Sequence, residues 1–73
     1  AKADAVVAFD GEFLTLRTSG RLTSATVYDM NGTAVMILPA SSSSWNVSAL
    51  SAGVHVARFM IDGATVTYKF MVK

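Results

Sequence analysis

Three turn dipeptides that end in glycine divide this chain into short runs rich in valine, threonine and alanine. They are Asp10-Gly11, Asn31-Gly32 and Asp62-Gly63. Such dipeptides tolerate the positive φ that a type I′ hairpin turn needs, so each predicts a hairpin between sequence neighbours, most strongly at Asn31-Gly32. No 11-residue window repeats apolar residues at helical spacing. The pattern therefore predicts an all-β domain, a sandwich or barrel, with mostly antiparallel pairing.

Breaks along the chain predict seven strands. Pro39 stops one run, because proline cannot donate to a β ladder. Ser48 is a possible N-cap and Gly53 a possible C-terminal residue for a single helical or 3₁₀ turn between them. The strands are predicted at 5–9, 12–17, 24–30, 33–38, 45–47, 54–61 and 64–72, with 45–47 as a short edge strand.

The last run alternates with a period of two. One face carries apolar or aromatic side chains, and the other is polar except for Met71. This alternation is typical of a half-buried strand. The first set is Val66, Tyr68, Phe70 and Val72, and the second is Thr65, Thr67, Lys69 and Lys73.

The length of 73 residues indicates one small domain, residues 1–73. A chain of this size buries only about 60% of the surface that its unfolded form exposes. Disulfide bonds are excluded because there is no cysteine, and a single histidine makes a metal site improbable. Stability is expected to depend on the 52% apolar residues, supplemented by a larger parent protein or by a homodimer through an edge strand.

The charge and hydropathy patterns exclude nucleic-acid binding and a membrane-spanning helix. Six basic and five acidic residues give a net charge of +1, and like charges are not clustered. Nucleic-acid binding needs clustered Lys and Arg, and a spanning helix needs about 20 consecutive apolar residues. Neither pattern is present in the sequence.

Candidate catalytic residues are few. His55 lies within a strand without metal co-ligands or a nucleophile, so we predict a half-buried sheet histidine. Asp10, Asp29 and Asp62 adjoin glycine turns, where a carboxylate typically accepts backbone N–H bonds in an Asx-turn. A glycosidase site would need two carboxylates on structural elements that face each other across the site. We therefore predict no enzyme activity, no catalytic residues, no cofactor and no metal.

Aromatic residues leave a second function open. Trp45, Tyr28 and the serine loop 41–44 could form a platform for a carbohydrate-binding or adhesive module. Tyr68 is expected in the core, whereas Trp45 is left undecided between core and surface. Asn46-Val47-Ser48 matches the N-glycosylation pattern, but three residues have little specificity.

Three sets of residues form ordered motifs between positions 28 and 73. They are Tyr28, Asp29 and Gly32; Leu50, Gly53, Val54, Val56 and Arg58; and Gly63, Lys69, Phe70, Val72 and Lys73. In these motifs the chain resembles the C-terminal sorting domain of the type IX secretion system. It departs from that family by lacking a Pro-Asn-Pro opening and by having His55 where the family usually has tyrosine.

The resemblance implies a compact immunoglobulin-like antiparallel β-sandwich that acts as an address. It directs a periplasmic cargo protein of a Gram-negative Bacteroidota cell through the outer membrane, and a cell-surface sortase then usually removes it and attaches the cargo to anionic lipopolysaccharide. Implied partners are the type IX translocon, an outer-membrane shuttle protein, the sortase and an N-terminal cargo domain. A structural sandwich without a recognition role is a further alternative. The residues predicted for recognition are Gly53, Arg58, Gly63, Lys69, Phe70, Val72 and Lys73.

Overall fold

The computed structural model describes residues 5–73, which form seven β-strands and no helix. Two strands, 5–9 and 64–72, have the predicted bounds, and the other five shift by one or two residues at their ends. The strands are β1 Ala5–Phe9, β2 Phe13–Thr18, β3 Leu22–Tyr28, β4 Ala34–Leu38, β5 Ser44–Asn46, β6 Gly53–Ile61 and β7 Ala64–Val72.

The strands form two sheets in a sandwich. A three-stranded sheet has the order β1-β2-β5, and a four-stranded sheet has the order β4-β3-β6-β7. All five strand pairings are antiparallel. The predicted small antiparallel β-sandwich of seven strands is confirmed, including β5 as a short edge strand.

The core lies between the sheets and takes alternate side chains from each. Leu14 of β2 and Val47, which directly follows β5, enter the core from the side of the three-stranded sheet. Val27, Phe59 and Ile61 enter it from the four-stranded sheet. All five are fully buried, and each such side chain stabilises the fold by about 1.5–3 kcal/mol relative to exposure. This burial replaces the disulfides that small domains often use.

The Asp62-Gly63 turn joins β6 to β7 as predicted. Asp62 has φ 52° and Gly63 has φ 79°, both in the left-handed region that a type I′ turn requires. The Asp62 carboxylate was predicted to cap its own turn, and this is wrong: it accepts the Arg21 amide at 3.0 Å. A Cβ on Gly20 would clash with that carboxylate and with Ile61, so the β2–β3 connection needs glycine to reach the turn.

The Asn31-Gly32 turn is not of type I′. The Gly32 amide donates to the Asp29 carbonyl at 3.1 Å, and only the glycine of this dipeptide has positive φ. This is a three-residue loop in which a type I turn is followed by a left-handed residue. The Asp29 carboxylate stabilises it by accepting the Asn31 and Thr33 amides at 2.9 and 3.0 Å.

The Asp10-Gly11 turn is also not of type I′. Gly11 has φ 104°, but Asp10 is not in the left-handed region. The Asp10 carboxylate accepts the amides of Glu12 and Phe13 at 2.9 and 2.7 Å. The predicted Asx-turn role is therefore confirmed for Asp10 and Asp29, and these side-chain bonds determine the turn shapes that the dipeptides alone did not.

The predicted helical turn at 48–53 is wrong. This segment has one turn in which the Leu50 amide donates to the Val47 carbonyl at 3.1 Å. Asn46, rather than Ser48, supplies the capping oxygen, which accepts the Ser48 amide at 2.9 Å and the Ser48 hydroxyl at 2.6 Å. Gly53, with φ 132°, then begins β6 instead of ending a helix.

Candidate functional site

Strand β7 lies at one edge of the four-stranded sheet and pairs only with β6 among the strands of residues 5–73. The predicted alternation along β7 is confirmed: Phe70 and Val72 are buried, whereas Lys69 and Met71 are exposed on the outer face. The strand therefore exposes one row of side chains to solvent while its other row packs into the core.

The free edge of β7 also has unpaired backbone groups. In a two-residue hairpin, the two residues that flank the turn exchange both of their backbone N–H···O=C bonds. Along the hairpin, such hydrogen-bonded pairs recur at every second residue. Here that pair is Ile61 and Ala64. The backbone N–H and C=O groups of Thr65, Thr67, Lys69 and Met71 consequently point away from β6, where an added strand could pair with them.

Two cations lie close together on the outer face of the hairpin. Arg58 is opposite Thr67 in the register, and Lys69 is opposite Val56. The cations are thus diagonal neighbours, and such positions are about 7–8 Å apart. The four strands of this sheet contain no Asp or Glu, so the hairpin presents positive charge without a compensating acid on the same face.

Aromatic contacts hold β7 in place. The Phe70 ring lies 4.8 Å from that of Phe9 in β1, 5.9 Å from that of His55 and 6.2 Å from that of Tyr68, measured between centroids. His55 is buried rather than half-buried, and its Nδ1 lies 3.1 Å from the Gly53 carbonyl oxygen. Phe70 therefore packs against β1 of the three-stranded sheet and against its neighbours in the four-stranded sheet.

A surface pocket of about 350 Å³ lies at the end of β7. The β1–β2 turn forms one wall with Phe9, Asp10 and Gly11, and the other wall consists of Met71 and Lys73. Hydrogen bonds from the Phe13 and Glu12 amides hold the pKa of the Asp10 carboxyl below its ordinary value of 3.8. The pocket therefore combines apolar walls with one acidic and one basic side chain.

The structure separates the predicted recognition residues into three groups. Arg58, Lys69 and Lys73 are exposed. Phe70 and Val72 are only 6% and 7% exposed, so a partner cannot contact much of either side chain in the folded domain. Gly53 and Gly63 begin β6 and close its hairpin, respectively.

The first motif builds the β3–β4 turn. Tyr28 is half-buried at the end of β3, Asp29 accepts two turn amides, and Gly32 supplies the left-handed residue. Leu50 of the second motif packs against the core. These residues define the frame that positions the hairpin.

Trp45 belongs to the core and not to a sugar platform. It is 5% exposed, it stacks on Phe59 at 5.9 Å, and its Nε1 donates to the Pro39 carbonyl at 2.8 Å. Its ring face is therefore unavailable to a ligand, which removes the anchor of the carbohydrate-binding alternative. Tyr68, as predicted, packs partly buried against the core.

Within residues 5–73 no cluster of three or more His, Cys, Asp or Glu side chains could hold a metal ion. The same residues include no helix of the length and hydropathy that a membrane span requires.

A family model described as the secretion system C-terminal sorting domain matches residues 11–73, most of the chain and all of the hairpin described above. The chain belongs to this family. Its members are sorting signals of the type IX system, a non-catalytic kind of domain that forms the C-terminal tail of a cargo protein and sends it across the outer membrane to the surface or the medium. No curated protein and no solved structure matches the chain significantly.

Sequence reasoning missed one part of the sorting domain's surface. Ile37 and Val35 of β4 are 79% and 43% exposed, although Met36 and Leu38 between and beyond them face inward. The available signal was the run Ala34–Leu38, which is apolar at every position. A solvated edge strand is usually polar on its outer side.

Proposed function

We propose that this sorting domain directs a folded cargo from the periplasm of a Bacteroidota cell through the type IX translocon. A shuttle protein in the outer membrane and a cell-surface sortase then act on it, and the cargo is attached to anionic lipopolysaccharide or released. The family match over residues 11–73 is the observation that supports this function.

The terminal hairpin is the recognition surface in this proposal. Arg58, Lys69 and Lys73 contact the partner, because these cations are exposed. Phe70 and Val72 act indirectly by fixing β7 in the core. The turns at Gly53 and Gly63 set the ends of the hairpin, and the free backbone groups of β7 offer a partner strand further hydrogen bonds.

A rigid strand suits this role better than a flexible tag. A flexible segment loses conformational entropy when it is bound, at about 1–2 kcal/mol for each residue that becomes ordered. The nine residues of β7 are already ordered by their pairing with β6. The sorting domain can therefore bind its receptor with fewer contacts than an unstructured peptide of equal length would need.

The proposal is tested with a folded reporter that carries a signal peptide at one end and this domain at the other. Lys69→Glu combined with Lys73→Glu reverses two exposed charges without touching the core, and we expect the reporter to remain in the periplasm. Deleting Val72 and Lys73 should have the same effect. Surface labelling and fractionation measure the outcome.

Arg17→Glu is the matched control, because Arg17 is exposed on the opposite sheet. Its reporter should reach the surface at the wild-type yield. If the Lys69/Lys73 variant and the deletion both reach the surface at that yield as well, the terminal hairpin is not the signal.

A further inference from the structure

The outer face of the four-stranded sheet carries more apolar side chains than is usual for a sheet face in contact with solvent. Antiparallel sheets with one wet face normally alternate apolar inward and polar outward residues. Here Val54, Val56 and Met60 of β6 lie on the same outer face as Arg58, and Ile37 of β4 is 79% exposed. Most of this face can therefore gain from being covered.

The apolar side chains at one end of this face are neighbours. Val56 lies between Tyr28 and Lys69 in the strand register, and Val54 lies beside Met71, which is 62% exposed. Arg58 continues the β6 row, so the two cations lie beside this apolar patch, and Thr26 separates Arg58 from Ile37. We define the outer sheet face as Ser24, Thr26, Tyr28, Val35, Ile37, Val54, Val56, Arg58, Met60, Thr65, Thr67, Lys69 and Met71.

We propose that the outer sheet face docks a protein surface that presents carboxylates among apolar side chains, and that this surface belongs to the export machinery. The inference rests on the proposed function and extends its recognition surface from the terminal hairpin across β3 and β4. Charge complementarity is the main argument, since the face has two cations and its four strands contain no Asp or Glu.

The charges disfavour two other occupants. A second copy that met this face about a two-fold axis would offer Arg58 and Lys69 no acidic partner, because the four strands contain no Asp or Glu in either copy. Anionic membrane surfaces are typically bound by clusters of about four to eight Lys and Arg, and this face has two. An acidic protein surface satisfies both cations and covers the apolar patch.

The size of the face fits a reversible complex. Four strands about 4.8 Å apart, with about 3.3 Å per residue, give a flat area of about 450 Å². Specific interfaces of standard size bury about 800 Å² per partner, and transient ones bury less. A sorting domain that is handed from one component to the next needs such a transient interface.

The first test measures binding of a reporter fused to this domain by the purified shuttle protein. Arg58→Glu with Lys69→Glu should weaken the dissociation constant at least about tenfold and remove most of its dependence on salt. Ile37→Asp is the decisive variant, because β4 and β7 lie at opposite edges of the sheet. It should weaken binding by a similar factor.

The matched control is Val6→Asp with Arg17→Glu. Val6 is 62% exposed and is the register partner of Arg17 on the three-stranded sheet. This control should bind within about twofold of the wild type. Thermal unfolding checks that every variant is folded.

Other results overturn the proposal. It fails if Ile37→Asp binds like the wild type, if the wild type does not bind the shuttle protein, or if only vesicles with phosphatidylglycerol bind in a manner that Arg58 and Lys69 control. Light scattering that shows a dimer lost in Ile37→Asp assigns the face to a second copy instead.

Delivery of the reporter to the cell surface separates this proposal from the proposed function. If the wild type and Ile37→Asp both arrive at equal yield, only the outer sheet face is wrong. If the wild-type reporter itself stays inside, the sorting function fails.

Discussion

Three aspartates precede or adjoin glycine turns, and their carboxylates do not all have the same role. Asp10 and Asp29 bind amides of their own turns, whereas Asp62 binds the Arg21 amide from another loop. The sequence predicted the local bonds because an Asx-turn involves only neighbouring residues. The bond to Arg21 spans 41 positions, and no local pattern encodes it.

The Asp10 turn makes stability depend on pH. The pKa of this carboxyl is lowered by the Phe13 and Glu12 amides, so its ionised form stabilises the folded state. That contribution is complete above the ordinary pKa of the unfolded chain and is lost as pH falls through the lower pKa of the folded domain.

Asp10→Asn keeps an oxygen acceptor but has no charge to lose. Urea denaturation from about pH 6 to about pH 2 should show the wild type losing stability relative to Asp10→Asn in the acid part of the range. If the free energy of unfolding changes with pH by the same amount in both proteins, ionisation of the Asp10 carboxyl does not contribute to the stability of the fold.

At the scale of elements, hairpins and strands were predictable but their turn types were not. The Asp62-Gly63 dipeptide gave the expected turn because both residues adopt positive φ. In Asn31-Gly32 the carboxylate of Asp29 stabilises a longer loop instead, and the extra residue moves Met30 out of β3. The Asp29 side chain, which lies outside the dipeptide, decided the second case.

Strand β5 shows the same limit for a single side chain. Trp45 lies in a polar sequence context, among serines and Asn46, and its burial follows from the position of the opposite sheet. Three residues of strand supply little pairing energy of their own. We infer that Trp45 holds β5 in place through Phe59 and the Pro39 carbonyl.

Trp45→Ala should therefore lower the free energy of unfolding by about 3–5 kcal/mol. Trp45→Phe keeps a ring against Phe59 and loses the hydrogen bond to the Pro39 carbonyl. It should therefore lower the free energy of unfolding by less, about 1–2 kcal/mol relative to the wild type. Urea denaturation measures both. If Trp45→Ala leaves the free energy of unfolding unchanged, the Trp45 ring does not contribute to the core.

At the scale of the whole molecule, composition and turn spacing were sufficient to predict an antiparallel all-β fold, a sandwich or barrel, and the choice of a sandwich came from the family resemblance. They did not predict which strands share a sheet, because β1, β2 and β5 combine elements from distant parts of the chain. The outer sheet face was missed for the same reason: exposure of Ile37 depends on β4 lying at an edge. The single domain over residues 1–73 stays a prediction.

Phe70→Leu tests whether the two sheets unfold together. This substitution loosens contacts with Phe9, His55 and Tyr68 and should cost about 1–2 kcal/mol. Fluorescence of Trp45 reports the packing of β5 against the four-stranded sheet, and circular dichroism reports all strands. Both midpoints should fall by the same amount in urea. Separate midpoints would mean that the sheets are independent.

The ring pair Phe9–Phe70 joins the first described strand to the last one. A copy of the domain from which β1 has been cut lacks the Phe9 ring, so Phe70 keeps only its ring contacts with His55 and Tyr68. Both ends of the described chain must therefore be present for β7 to pack in full against the core.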